Sequence, residues 1–425
     1  MGHSDFKIDY PDEETSNRRL RRALRHMDDA ISENQWLLPV VGSVFGVLLA
    51  LLVGRSGGLL DYGTWMIDAA EARSGLISGL SIIFAGLSIV LALASVTTQN
   101  VVGRFSLRML RIYLRNPWDK AVIAMFAMAA TFIGVEWYQL RTLPSDESAP
   151  AGGLFIGVVL LFLSGGMIIW YISALQRWFR VDYVSKRVRR LILRAALAIE
   201  KEHQEESPPL DTLFERPSDA ISVSAHRSGY LMEVDSQGLL DLAVQYDTEF
   251  VIDLGIGRRV VRGEPIGWIV MDNNSPGELP PSDRIVDTMD ITEVRELERS
   301  IGYGFIVLVD IAIMALSPGI NDPNTAVQVI EEMTTLFPEL ARFHLGPFGR
   351  IDGKGRQRVA VQARTFGDYV DMATTQIVLY SGEDPTVIDA LQHFVRVLES
   401  LDLPTKDQEA VERFASKIQR LSKPI

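Results

Sequence analysis

Four long apolar runs in the first half of the chain constrain its fold more than any other feature: Leu37–Val53, Gly75–Val96, Ala121–Leu140 and Gly153–Leu175. Each approaches the roughly 20 residues that a helix needs to cross about 30 Å of hydrocarbon. Trp36, Trp118, Trp137, Tyr138, Trp170, Tyr171 and Trp178 stand at or near their ends, where aromatic rings favour the membrane interface. The pattern predicts four transmembrane helices. Lys and Arg gather before the first run, between the second and third, and after the fourth; the other two connections hold Arg55, Arg73 and Arg141. The positive-inside rule therefore places both termini in the cytoplasm.

The second run has an inner pattern. Ser74, Ser78, Ser81, Ala85, Ser88, Ala92, Ser95 and Gln99 alternate steps of four and three, so on a helix they form one narrow stripe of small and polar residues. Leu, Ile, Val and Phe occupy the other faces. One reading is close helix packing, for which Gly75–Gly79 supplies a local GxxxG. The other is that several copies of this helix surround an axis and the hydroxyls border water. Thr97, Thr98, Gln99 and Asn100 would then ring a cytoplasmic mouth. Arg104, Arg108, Arg111 and Arg115 continue the stripe as a basic helix face, suited to anionic lipid or to attracting anions at that mouth. Glu136 is the one ionisable residue inside the four runs and lies near the end of the third. Coupled transporters bury charged relays at mid-depth, and these runs hold none, so an uncoupled pathway is the transport mode expected.

The two halves of the chain differ in charge. Of its 425 residues, 1–199 hold 21 Lys and Arg against 16 Asp and Glu, while 200–425 hold 21 against 38. An acidic second half argues against nucleic acid as a partner, since phosphate binding needs clustered positive charge. The partners expected are the lipid bilayer, further copies of the chain in a homo-oligomer, and ions if it conducts. With no cysteine, disulfide and thiolate chemistry are excluded.

Residues 1–35 read as a cytoplasmic arm with a basic knot from Arg18 to Arg25, residues 36–178 as the transmembrane part, and 179–218 as a basic juxtamembrane helix and linker. Residues 219–290 carry β patterns, in AISVSA, SGYLMEV, TEFVIDLGI and RRVVRGEPIGWIVM, around a helical SQGLLDLAVQY. Their Val-x-x-Gly-x-Pro run suggests a small barrel- or sandwich-like part. A carrier domain of that kind would need a lysine at a hairpin tip, and none occurs between Lys201 and Lys354. Residues 291–425 read as mainly helical, with a strand RVAVQA. The fold class expected is thus an α-helical membrane domain followed by an α+β cytoplasmic domain.

Chemistry is sparse. Asp322 before Pro323 makes a helix N-cap, and Asn321, Asp322, Asn324 and Thr325 form the one candidate ligand or anion site, because a helix N-terminus can receive an anion. Asp310, in an apolar helix, needs a partner, Arg299 being a candidate. The histidines His3, His26, His203, His226, His344 and His393 have no metal-ligand spacing. No phosphate loop, nucleophile elbow or zinc-protease motif is present. No catalytic residue, cofactor or metal is expected.

Five stretches, SVTTQNVVGRFSLRMLR, SGYLMEVD, VVRGEPIGWI, LVDIAIMALSPGINDPNTAV and FGDYVDMATTQI, resemble the bacterial predicted membrane proteins grouped as domain of unknown function 2254. Val102-Gly103-Arg104 departs from the Ser-Pro-Arg common in that family. The resemblance implies a topology and no activity. The residues point first to a homo-oligomeric uncoupled ion channel lined by the second helix and gated or assembled by the cytoplasmic domain. The alternative is a non-conducting membrane-anchored sensor or scaffold whose α+β domain binds a ligand or partner.

Overall fold

From Leu37 to Gly54 the chain carries no charged side chain, and in hydrocarbon such a run satisfies its backbone only as a helix. A computed structural model describes residues 34, 36–55, 66–104, 107–114, 117–144, 147–178, 180–203, 210, 216–271, 278–293, 295, 300–382 and 384–421. Apart from Asn34, the N-terminal arm with its basic knot lies outside them. The chain divides into two units, Met1–Gly103 with Leu107–Phe179, and Arg180–Ile425 with Arg104–Ser106.

The first unit is helical. Its main elements are α1 (Leu37–Arg55), α2 (Ala69–Arg104), α4 (Pro117–Leu140) and α5 (Gly152–Trp178). Four stretches within them, Leu37–Gly54, Ala69–Val101, Lys120–Leu140 and Gly152–Arg177, are long and apolar enough to cross a membrane. The short α3 (Leu107–Leu114) is amphipathic and buries Met109 and Tyr113, one turn apart. Strands β1 (Met66–Asp68) and β2 (Ser148–Pro150) pair antiparallel and tie the start of α2 to the start of α5.

α1 lies tightly along α4. Gly42 and Gly46, one turn apart, bring the two backbones together: a Cβ at Gly42 would overlap the carbonyl of Ala124, and one at Gly46 would overlap the Met128 carbonyl and the Thr131 hydroxyl. Thr131 Oγ1 lies 3.1 Å from the Ser43 carbonyl across the interface and shares its one proton between that acceptor and the Ala127 and Met128 carbonyls of its own helix, at 2.9 and 3.1 Å, while Gln139 Nε2 reaches the Ala50 carbonyl at 3.3 Å. This is the small-residue packing motif of membrane helices, with a hydroxyl added as a cross-link. It sits on α1 rather than at Gly75–Gly79. Those two glycines meet only flexible side-chain ends, Leu154 Cδ1 and Ile133 Cδ1.

The second unit is mixed α/β. It begins with α6 (Val181–His203), whose Val184, Val188, Ile192, Ala195 and Ala196 are buried at helical spacing. Two open sheets follow. The larger has the order β3 (Ile221–Ser224), β7 (Pro265–Met271), β5 (Thr248–Ile252), β10 (Gln357–Val361), β9 (Phe348–Ile351). The smaller has the order β6 (Arg259–Val260), β4 (Gly229–Val234), β8 (Met289–Thr292). Both sheets contribute to one core with α7 (Ser236–Tyr246), centred on Leu231, Leu239, Phe250, Val260, Ile291 and Val361. The expected barrel does not close among the described residues. β9 and β10, from beyond residue 290, enter the larger sheet through a parallel pairing of β10 with β5, and β3 and β9 remain its edges.

The Val260–Pro265 turn uses Gly263 at φ 86°, a conformation suited to glycine. After the short α8 (Ser282–Val286), helices dominate: α9 (Ile301–Ala315), α10 (Pro323–Leu340), α11 (Phe366–Tyr380), α12 (Pro385–Glu399) and α13 (Thr405–Leu421). Phe337 of α10 is fully buried at their centre, with ring centroids 5.0 Å from Phe305, 5.3 Å from Phe366 and 5.2 Å from Phe394. Aromatic clustering of this kind adds about 0.5–1.5 kcal/mol per pair beyond area burial. α6 joins this bundle through Arg189, whose guanidinium lies 2.7 Å from Glu339 and 3.3 Å from Glu332 on α10. Burial raises the Glu332 carboxyl above its ordinary range, and Arg189 offsets part of that rise.

Candidate pore-lining face

The helical periodicity of the second span resolves into two opposite lines. Ala72, Leu76, Ile83, Val90, Thr97 and Val101 are buried, stepping by four and seven, and face the other helices of the unit. Ser74, Ser78, Ser81, Ala85, Ser88, Ala92, Ser95 and Gln99 are all exposed on the opposite side. The whole stripe therefore points away from the described helices of its own unit. Apolar side chains border it, with Ile77, Ile82, Phe84, Ile89, Leu91 and Val96 also exposed. No other span approaches the backbone of α2 as closely as α4 approaches that of α1.

Three of the stripe hydroxyls are internally satisfied as donors. Ser78 bonds the Ser74 carbonyl at 2.9 Å, Ser81 the Ile77 carbonyl at 3.0 Å and Ser88 the Phe84 carbonyl at 2.8 Å. Each oxygen keeps acceptor capacity toward whatever lies outside, water or a donor on a facing helix.

At the end of the stripe the residues diverge. Gln99 is exposed, Thr98 and Asn100 are half-buried, and Thr97 is buried with its hydroxyl on the Leu93 carbonyl. Thr97 thus departs from the mouth expected of it: a step of two from Ser95 turns a helical side chain to the far side. Asn100 returns its amide to the Val96 carbonyl at 2.9 Å. Arg108 is exposed on α3 and engaged with a partner. Arg104 and Arg111 are described by backbone only, and Arg115 lies outside the described residues.

The loop at Asn321–Thr325 is built by capping. Asn321 adopts a left-handed φ of 49°. The Asp322 carboxylate accepts from the Thr325 N–H at 3.2 Å and from its hydroxyl at 2.7 Å, with Pro323 opening α10. The helix end thus already holds a carboxylate of its own chain. Asn321 and Asn324 are exposed and bring no further group to it. Asp310 is half-buried and engaged with a partner, while Arg299 lies outside the described residues. His226 is half-buried with its Nδ1 shielded from solvent, and burial followed by the charge of Arg227 lowers its pKa. Among the described residues no group of three or more His, Asp or Glu could hold a metal ion.

Comparison with known proteins adds kinship without chemistry. The family model described as predicted membrane protein (DUF2254) matches residues 32–396. Uncharacterized proteins of Mycobacterium bovis and of Mycobacterium tuberculosis strain H37Rv are each 29% identical over 370 residues, covering 84% of this chain and 70% of theirs. A further uncharacterized protein, of Mycobacterium tuberculosis strain CDC 1551, is 28% identical over the same span. No solved structure matches.

Proposed function

The chain belongs to the DUF2254 family of predicted membrane proteins, and on that premise we propose that it is a homo-oligomeric, uncoupled ion channel lined by α2. The observation that carries this reading is the outward placement of all eight stripe residues. A helix that needed its small residues to pack within its own protomer would turn them inward, as α1 turns Gly42 and Gly46. A stripe turned outward meets either lipid or other copies. Copies arranged around an axis give the serine oxygens water to accept from, and Ile77, Phe84 and Leu91 a neighbouring wall to seal. In this reading the α/β unit gates or assembles the channel, both termini are cytoplasmic, and the membrane is the bacterial inner membrane. No enzymatic role is assigned.

A second reading has its own observation. Because Ser78, Ser81 and Ser88 donate to their own helix, the stripe can lie in lipid or against a facing helix without bordering water. The protein would then be a non-conducting anchor whose α/β unit senses a ligand or holds a partner.

Recording from purified protein in planar bilayers separates the two. The channel reading expects current above protein-free controls, under voltage or tension, and a lower unitary conductance in Ser88→Leu. Absence of current under both stimuli overturns it.

A further inference from the structure

Glu136 stands at the end of a core line. Val122, Phe126, Ala129, Ile133 and Glu136 step by four and three along α4, and all are buried. Glu136 is only 5% exposed, so it belongs to the packed interior of the helical unit rather than to its rim. Its Oε1 is shielded from solvent and has no hydrogen-bond partner. Gly153, in the first turn of α5, makes room for the carboxyl: a Cβ there would overlap Oε2 and lie 2.8 Å from Cδ. One helical turn below, Ile133 lies against Gly157 of α5, which in turn faces Leu76 of α2.

No counter-charge meets this carboxyl among the described residues. α1 has no Asp, Glu, Lys, Arg or His from Leu37 to Gly54, and α5 has none before Arg177 at its far end. On α2, Glu71 is exposed, and Arg73 turns its guanidinium to the carbonyls of Ala69, at 3.0 Å, and Leu143, at 3.4 Å. Lys120 sits at the opposite end of α4, and Arg141 and Glu147 are exposed on the connection to α5. Asp146 lies outside the described residues. An ionised carboxylate buried without a cation or a donor is strongly disfavoured, more so at membrane depth.

We propose that Glu136 is a proton-binding site coupled to the packing of α5 on α4. In the closed arrangement the carboxyl is the neutral acid and can return its O–H to a carbonyl of its own helix, as the α2 hydroxyls do. When the first turn of α5 parts from α4, water reaches the carboxyl and solvates the carboxylate, and the proton leaves. Solvent thus stabilises the ionised form, and burial the neutral one. The site holds whether or not α2 conducts.

The test uses the full chain in detergent or liposomes. Dicyclohexylcarbodiimide, an apolar reagent, takes the proton of a buried carboxylic acid on one nitrogen while the carboxylate oxygen bonds its central carbon. The resulting O-acylisourea rearranges to a stable N-acylurea with no group lost. We expect one such adduct on the peptide carrying Glu136, declining as pH rises and absent from E136Q. Thermal unfolding should show wild type losing stability relative to E136Q as pH rises above the ordinary glutamate value of about 4.3, because the closed arrangement holds the proton. No adduct at Glu136 overturns the proposal. So does a pH dependence shared by wild type and E136Q. Should E136Q fail to fold, the adduct on wild type and its pH dependence decide alone.

Discussion

Two lines of small residues run along the membrane helices of this protein, and they end in opposite environments. Gly42 and Gly46 on α1 are closed against the backbone of α4, close enough that a single added methyl has no room. The serines and alanines from Ser74 to Ser95 on α2 face outward, with every member exposed. The difference teaches that a small-residue stripe specifies close approach without specifying the partner. On α1 the partner is in the same protomer. On α2 none is present among the described residues, and the oligomeric channel is the reading that supplies one.

The largest expected effect comes from forcing the closed line open. Gly46→Leu places a side chain into the Met128 carbonyl and the Thr131 hydroxyl, and overpacking of that kind costs about 1–3 kcal/mol or more. The loss is read as a lower unfolding temperature in detergent. Ser88→Leu, a larger residue on the open line, should shift protomer stability by no more than about 0.5 kcal/mol. Equal losses in the two variants would erase the distinction between the lines.

Accessibility sharpens it next. The chain has no native cysteine, so single cysteines report cleanly. Ser78→Cys, Ser81→Cys and Ser88→Cys should react with a membrane-impermeant thiol reagent in the assembled protein, and Val90→Cys, on the buried line, should not. Unreactive stripe cysteines would favour the non-conducting reading.

Thr131→Val has a smaller effect. It removes the cross-link from α4 to the Ser43 carbonyl, worth about 0.6 kcal/mol on average for such bonds in membranes, and is read as a modest fall in unfolding temperature. The last effect, a change of slope against pH, lies in the α/β unit, where a close contact is fixed by charge instead of size. Asp352 caps the β9–β10 turn, accepting from the Lys354 and Arg356 N–H groups and from Arg358 Nε, each at 2.9 Å. The Arg358 hydrogen bond, followed by the backbone ones, lowers its pKa to about 2. A depressed carboxyl pKa contributes stability that is present above the ordinary value near 3.8 and is lost as pH falls toward 2. Asp352→Asn should lower stability at neutral pH and flatten the acid limb, the two proteins converging as pH falls toward 2.

Much of the architecture was legible in the residues. The four spans follow from length and composition, and the start of α11, Phe366–Tyr380, is set by a capping box of Thr365 and Asp368 visible as T-x-x-D. The N-cap at Asp322 was legible for the same local reason. β8, β9 and the parallel β5–β10 pairing were not, since strand partners are chosen by contacts distant in sequence. At the candidate site the periodicity of the stripe was plain, whereas its outward direction was not. Glu136 looked like a rim residue beside Trp137 until Val122, Phe126, Ala129 and Ile133 placed it on the core line.

What the sequence determined by itself is whatever depends on neighbours a few residues away: helix length against bilayer thickness, the spacing of the stripe, and the caps and glycine turns. Tertiary structure alone decided which small residues are consumed in packing and which are left facing outward. Helical spacing groups residues on a face, but the face that meets another helix is set by how whole surfaces fit, through backbone approach at Gly42 and Gly46 and room beside Gly153.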